Sequence, residues 1–157
     1  MAGAAAHVDD QPLRRREGAA VKRARDAGQS LVEFALVVPI FLILVFGVVD
    51  GVRAVFAYNT IANASREGAR YAMVHGSNSS SAVGPGNTSA LTVYVQKYTD
   101  GLGASSVTIT PTWPGGSNDA GGKVKVDVQY QWKPMFSSLL HTGPLTLDAS
   151  STMVIVN

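Results

Sequence analysis

Residues Leu31 to Val49 form a run of nineteen positions that is apolar except at Glu33, Pro39 and Gly47. As an α-helix rising about 1.5 Å per residue, it is roughly 28 Å long, close to the hydrocarbon core of a bilayer at about 30 Å. A core helix of a soluble domain of this length carries a polar stripe, and this run has none. The chain is therefore expected to cross a membrane once. A cleaved secretory signal is the rival, with Val55-Phe56-Ala57 as its small-residue cleavage site. Asp50 and Arg53 stand between that site and the apolar run, and the run is longer than such signals need.

Charge sets the orientation and removes several classes of function. The leading 28 residues hold six basic side chains (Arg14, Arg15, Arg16, Lys22, Arg23 and Arg25) and four acids, while only Arg53 closely follows the apolar run. An excess of cations on one side places that side in the cytoplasm, so the body beyond Val49 is expected outside. Of the 13 basic and 11 acidic residues, seven of each remain after residue 28, so the body is neutral. A neutral body has no basic face for phosphates, which argues against nucleic acid as a partner. With no cysteine, disulfides and thiolate chemistry are excluded. Residues 1–28, rich in Ala, Gly and charge, show no apolar period and are expected to lack fixed structure.

The body reads as α+β. The helix is expected to continue through residues 51–74 as an amphipathic segment. At 100° per residue, Ala54, Tyr58, Ile61, Ser65, Gly68 and Ala72 share one face, and Asn59, Asn63, Arg66 and Arg70 share the opposite one. Small side chains on the inner face suit close packing on a sheet or another helix. Residues 75–90 are loop-like, from His75-Gly76-Ser77 to Gly86-Asn87. Leu91, Tyr94, Val95, Tyr98 and Leu102 then recur at helical spacing and stop at Gly101 and Gly103. Val107 and Ile109 alternate with Thr108 and Thr110 until Pro111 and Pro114 stop the run, and Lys123–Trp132 alternates strictly, with Val124, Val126, Val128, Tyr130 and Trp132 on one side. A flexible loop, Gly115–Gly122, joins them, and a last strand is expected over Leu145–Val156. The expected fold is a long N-terminal helix packed on a small antiparallel sheet of about three strands, the body occupying residues 75–157.

Function concentrates at Gly28-Gln29-Ser30-Leu31-Val32-Glu33-Phe34, where a charged leader ends at a glycine and an apolar helix starts. A carboxylate at mid-membrane costs roughly 2.5–3.5 kcal/mol on insertion scales, so Glu33 calls for a partner. None of the six leader cations is well placed to meet it. A new α-amine on Gln29, above all that of a neighbouring subunit, would be.

This arrangement resembles the class III signal of type IV pilins: a hydrophilic leader, a glycine before the scissile bond, a glutamate five residues on, then an apolar helix. Gly28-Gln29-Ser30-Leu31-Val32-Glu33-Phe34-Ala35, Phe46-Gly47-Val48-Val49-Asp50-Gly51-Val52-Arg53 and Asn63-Ala64-Ser65-Arg66-Glu67-Gly68-Ala69-Arg70-Tyr71-Ala72 look like the TadE-like family, minor pilins or pseudopilins of the Tad (Flp) pilus. The resemblance covers Gly28 to about Ala72. It implies that residues 1–28 are a cleavable leader and that a membrane-embedded prepilin peptidase cuts between Gly28 and Gln29, where a side chain at 28 would obstruct its approach. It implies that residues 29–50 are the transmembrane helix and 51–74 its extracytoplasmic continuation, and that Glu33, with Phe34, fixes register against a neighbour's Gln29 amine. The implied location is the bacterial cytoplasmic membrane or the base of a pilus, with other pilins and an inner-membrane assembly platform as partners. Arg66, Glu67, Gly68 and Arg70 are expected to form a helix-to-body or partner contact.

An enzyme is not expected. His7, His75 and His141 are scattered with no metal-ligand spacing, the aspartates Asp100, Asp119, Asp127 and Asp148 fall in turns or on strand faces, and the glycine-rich stretches match no phosphate-binding loop. No cofactor is implied. Trp113 and Trp132 read as sheet-face residues. The alternative function is a signal-anchored extracytoplasmic binding domain that never joins a fibre.

Overall fold

The computed structural model of the 157-residue chain describes residues 11–135, 137 and 143–157, with side chains described from residue 28 onward. His7 and His141 lie outside the described residues. Helix α1 spans Gln11–Val74, and the chain divides into two compact units, Met1–Gly47 and Val48–Asn157. The segment from Gln11 to Ala27 is helical rather than unstructured, which corrects the expectation for that part of the leader. Its Ala, Arg, Lys and Glu residues are strong helix formers, and propensity carries the helix where no apolar face is available to pack.

In the first unit, the apolar part of α1 is bare. Leu31, Phe34, Ile40, Phe41 and Leu44 are all exposed, and Gly28–Val74 contains a window of mean hydropathy 2.8 with none of it buried, long and apolar enough to cross a membrane. Pro39 sits inside the helix without ending it.

In the second unit, α1 runs to Val74, followed by α2 (Ser89–Gln96), β1 (Val107–Thr112), β2 (Lys123–Trp132) and β3 (Leu145–Val154). The fold is α+β, with a three-stranded antiparallel sheet in the order β1-β2-β3. Pro111 does not stop β1, which continues to Thr112 with Pro111 opposite Val126. An edge strand tolerates a missing N–H, and β1 is an edge. α2 is shorter than its spacing suggests. It closes in a 3₁₀ turn at Lys97–Thr99, and Gly101 and Gly103 follow with φ of +93° and +79°, a conformation other residues adopt only under strain.

The core joins one face of α1 to α2 and the sheet. Ile61, Leu91, Val95, Val124, Val126, Val128 and Ile155 are essentially inaccessible, each worth about 1.5–3 kcal/mol of burial. Along α1 the buried arc is Ala57, Ile61, Ala64, Ser65, Gly68, Ala69 and Ala72, with Asn59, Asn63, Arg66 and Arg70 exposed. Tyr58 was expected inside and is half-exposed, with Ala57 in its place. Gly68 is where helix and sheet come closest. A Cβ added there would sit 2.5 Å from Val95 Cγ2 and 3.2 Å from Val126 Cγ1.

α1 and β2 run antiparallel. Near the Lys123 end of β2, the Ile155 amide donates to Gly122 O (2.9 Å) and the Val156 amide to Met73 O (3.0 Å). At the other end, just past Trp132, Met135 meets Asp50. The Gly115–Gly122 loop is tied down rather than free: the Ser77 amide donates to Asn118 O at 2.9 Å, and Asn118 Nδ2 donates to Val83 O at 3.1 Å.

Candidate functional site

Gly28, Gln29, Glu33 and Phe34 all lie exposed on α1. Helical geometry brings positions 29 and 33 onto one face, and Gln29 Nε2 donates to Glu33 Oε1 at 3.1 Å. The carboxylate thus has a neutral amide partner within its own helix. The sequence carried that signal in the i,i+4 spacing of Gln29 and Glu33, and reasoning from cations alone misses it. Around Gly28, a Cβ would meet nothing within 4 Å among the described residues, which supply no steric reason for glycine there. A glycine inside a helix costs about 1 kcal/mol relative to alanine. Gly47 and Gly51 are equally unobstructed. They flank the end of the apolar run, where small residues let another backbone approach closely.

Beyond the apolar run, Asp50 and Arg53 form an ion pair of 2.9 Å. The Asp50 side chain is 12% exposed and that of Arg53 49%. The second carboxylate oxygen, Oδ2, accepts the Met135 backbone N–H at 2.8 Å. Asp50 is therefore a tether between α1 and the β2–β3 connection.

The Arg66–Arg70 block divides by face. Arg66 and Arg70 are exposed, Glu67 is half-buried, and Gly68 and Ala69 are buried against the sheet side. Arg70 Nη1 lies 3.5 Å from Glu67 Oε1, a partly exposed pair of small energetic weight. Beside it runs an aromatic row that the sequence shows only in halves. The Tyr71 ring stacks on His75 (3.9 Å) and on Tyr94 (4.3 Å), and the Tyr94 and Tyr98 hydroxyls share a 3.0 Å hydrogen bond. That hydrogen bond, then burial, raises the Tyr94 phenol above its ordinary pKa of 10.0. Helical spacing places Tyr71 with His75 and Tyr94 with Tyr98; only the docking of α2 on α1 joins the two pairs.

A shallow depression of about 400 Å³ lies between α1 and the sheet, lined by Val52, Phe56, Leu102, Tyr130 and Trp132 among others. Trp113 is buried in the core and Trp132 is half-buried; the indole nitrogens of both lack a hydrogen-bond partner among the described residues. Among the described residues no three His, Asp or Glu side chains gather where a metal ion could bind. The pieces that stand out are a capped glutamate at the head of a bare apolar helix, a carboxylate tether at its exit, and a small-residue seam on the sheet.

The family model described as TadE-like protein matches residues 28–70. No curated protein and no solved structure matches the chain.

Proposed function

From the TadE-like segment at residues 28–70, we propose that this chain is a minor pilin or pseudopilin that helps start or build a Tad-type pilus. In this reading Leu31–Val49 anchors the protein in the bacterial cytoplasmic membrane, with the basic leader inside and residues 51–157 outside. A prepilin peptidase removes the leader after Gly28, and the subunit then engages other pilins and the inner-membrane platform. The observation that carries the reading is that the family match begins at Gly28, a glycine for which the chain's own packing gives no reason. A side chain at 28 would obstruct the close approach of a peptidase to the bond that follows it.

Cleavage changes what Glu33 faces. Before it, the carboxylate is met by the Gln29 side-chain amide. Afterwards Gln29 gains a charged α-amine, and a neighbouring subunit's amine offers Glu33 a full opposite charge. A buried ion pair adds little net stability, but either charge left alone in an apolar setting is costly, so the pair acts chiefly on axial register. N-terminal sequencing of membrane-extracted protein tests the proposal. The mature chain should begin at Gln29, and Gly28→Leu should retain the leader. A mature chain that starts elsewhere overturns the assignment.

A further inference from the structure

The residues at the anchor-proximal end of the second unit share a feature the pilin reading does not use. Asp50 directly follows the apolar run Leu31–Val49, and its Oδ2 holds the Met135 N–H at 2.8 Å. Whatever level Asp50 takes relative to a bilayer, Met135 takes as well. Leu145 pairs with Trp132 across β2 and β3, three residues before Met135, so it belongs to the same end. On the helix, Val52 and Phe56 lie two and six residues past Asp50, about 3 Å and 9 Å along the axis. The polar headgroup zone is roughly 5–7 Å deep on each side of the hydrocarbon core.

These side chains are not protected by the fold. Val52 is 65% exposed, Phe56 61%, Met135 54% and Leu145 56%. Trp132, half-buried, lines the depression between Val52, Phe56 and Tyr130, and the exposed cations Arg53 and Lys133 flank the same end. Large apolar side chains, a tryptophan and a tyrosine, with cations at the margin, are the composition of a surface that sits at a membrane–water interface.

We propose that this end of the body, comprising Val52, Trp132, Met135 and Leu145, rests in the headgroup layer of the bilayer that holds the anchor, with Phe56 just above it. It rests on the reading of Leu31–Val49 as a membrane span. The occupant is lipid because the tether fixes Met135 at the level where the apolar run ends, and the side chains exposed there are large and apolar. The Asp50–Met135 hydrogen bond then keeps Met135 level with the point where the apolar run ends.

The chain has no cysteine, so single cysteines carrying a spin label report their surroundings without background. Full-length Met135→Cys, Leu145→Cys, Val156→Cys and Ile40→Cys would each be placed in vesicles of mixed phosphatidylcholine and phosphatidylglycerol. Collision with oxygen, which favours lipid, is compared with collision with a water-soluble nickel chelate. Val156, 64% exposed, lies at the far end of the sheet and matches the two test positions in exposure but not in place. The expected result is an oxygen-to-nickel ratio severalfold higher at 135 and 145 than at 156, and below that at 40. Equal ratios at 135, 145 and 156 overturn the proposal. So does shielding of 135 and 145 from both reagents with spin–spin broadening, which would mean that a protein neighbour covers this end. An aqueous ratio at 40 removes the anchor reading, and this proposal with it, and so is distinguished from failure of the docked face alone.

Discussion

Asp50 accepts a hydrogen bond from the Met135 backbone across 85 positions of sequence, at 2.8 Å and with its side chain 12% exposed. Asp50→Ala leaves that N–H unpaired in a partly buried site and should cost about 1–3 kcal/mol. Asp50→Asn can keep an oxygen toward the Met135 N–H and gives up the negative charge that faces Arg53, so it should cost less. Hydrogen exchange at the Met135 amide, measured on full-length protein in detergent, should quicken markedly in the alanine variant and little in the asparagine variant.

Gly68→Ala drives a methyl to 2.5 Å from Val95 Cγ2. Overpacking of this kind costs about 1–3 kcal/mol, against a gain of about 1 kcal/mol from removing a helical glycine. Val95→Ala removes the obstructing methyls at its own cost in lost burial. The two changes together should be less damaging than the sum of the singles, and a double-mutant cycle on thermal unfolding measures the difference.

On the proposed pilin reading, Glu33→Gln and Glu33→Ala should leave the cut after Gly28 intact, because the scissile bond and leader are unchanged. Membrane insertion should improve with the loss of an intramembrane acid. Pilus number should fall, since a neighbour's Gln29 amine is then buried without a partner at about 3–5 kcal/mol. Gln29→Ala keeps the amine and loses only the side-chain amide, so it should assemble. N-terminal sequencing beside a pilus count reads all three.

Tyr94 gives a pH signature outside the membrane. Its folded-state pKa is raised by the Tyr98 hydroxyl, so its contribution to stability is complete below the unfolded value of about 10 and is lost as pH rises through the folded value. Unfolding midpoints should be insensitive to this group at neutral pH and fall in alkali. Tyr98→Phe should let Tyr94 ionise at lower pH, which ring-carbon NMR of labelled tyrosine follows directly.

Strand β2 was legible because ten residues alternate without a break, and its burial follows that alternation at Val124, Val126 and Val128. β1 was cut short on paper because Pro111 forbids a central strand, and strand order is a tertiary property. Tyr58 was misplaced for a related reason. It lies at the margin of the buried arc, where period alone cannot say whether a large ring or the neighbouring Ala57 turns inward. At the candidate site, Gln29 and Glu33 were legible as neighbours by spacing. The Met135 tether and the Tyr71–Tyr94 stack were not, since each joins elements whose docking no local pattern encodes.

The antiparallel course of α1 and β2 has a mechanical side. The body is clasped to the helix at both ends, by Asp50 with Met135 and by Met73 with Val156. Traction along the helix therefore loads the two clasps and the Gly68 seam together, in shear, with no free end from which to peel. Fastened this way, the second unit should yield to such a pull abruptly rather than by gradual unzipping.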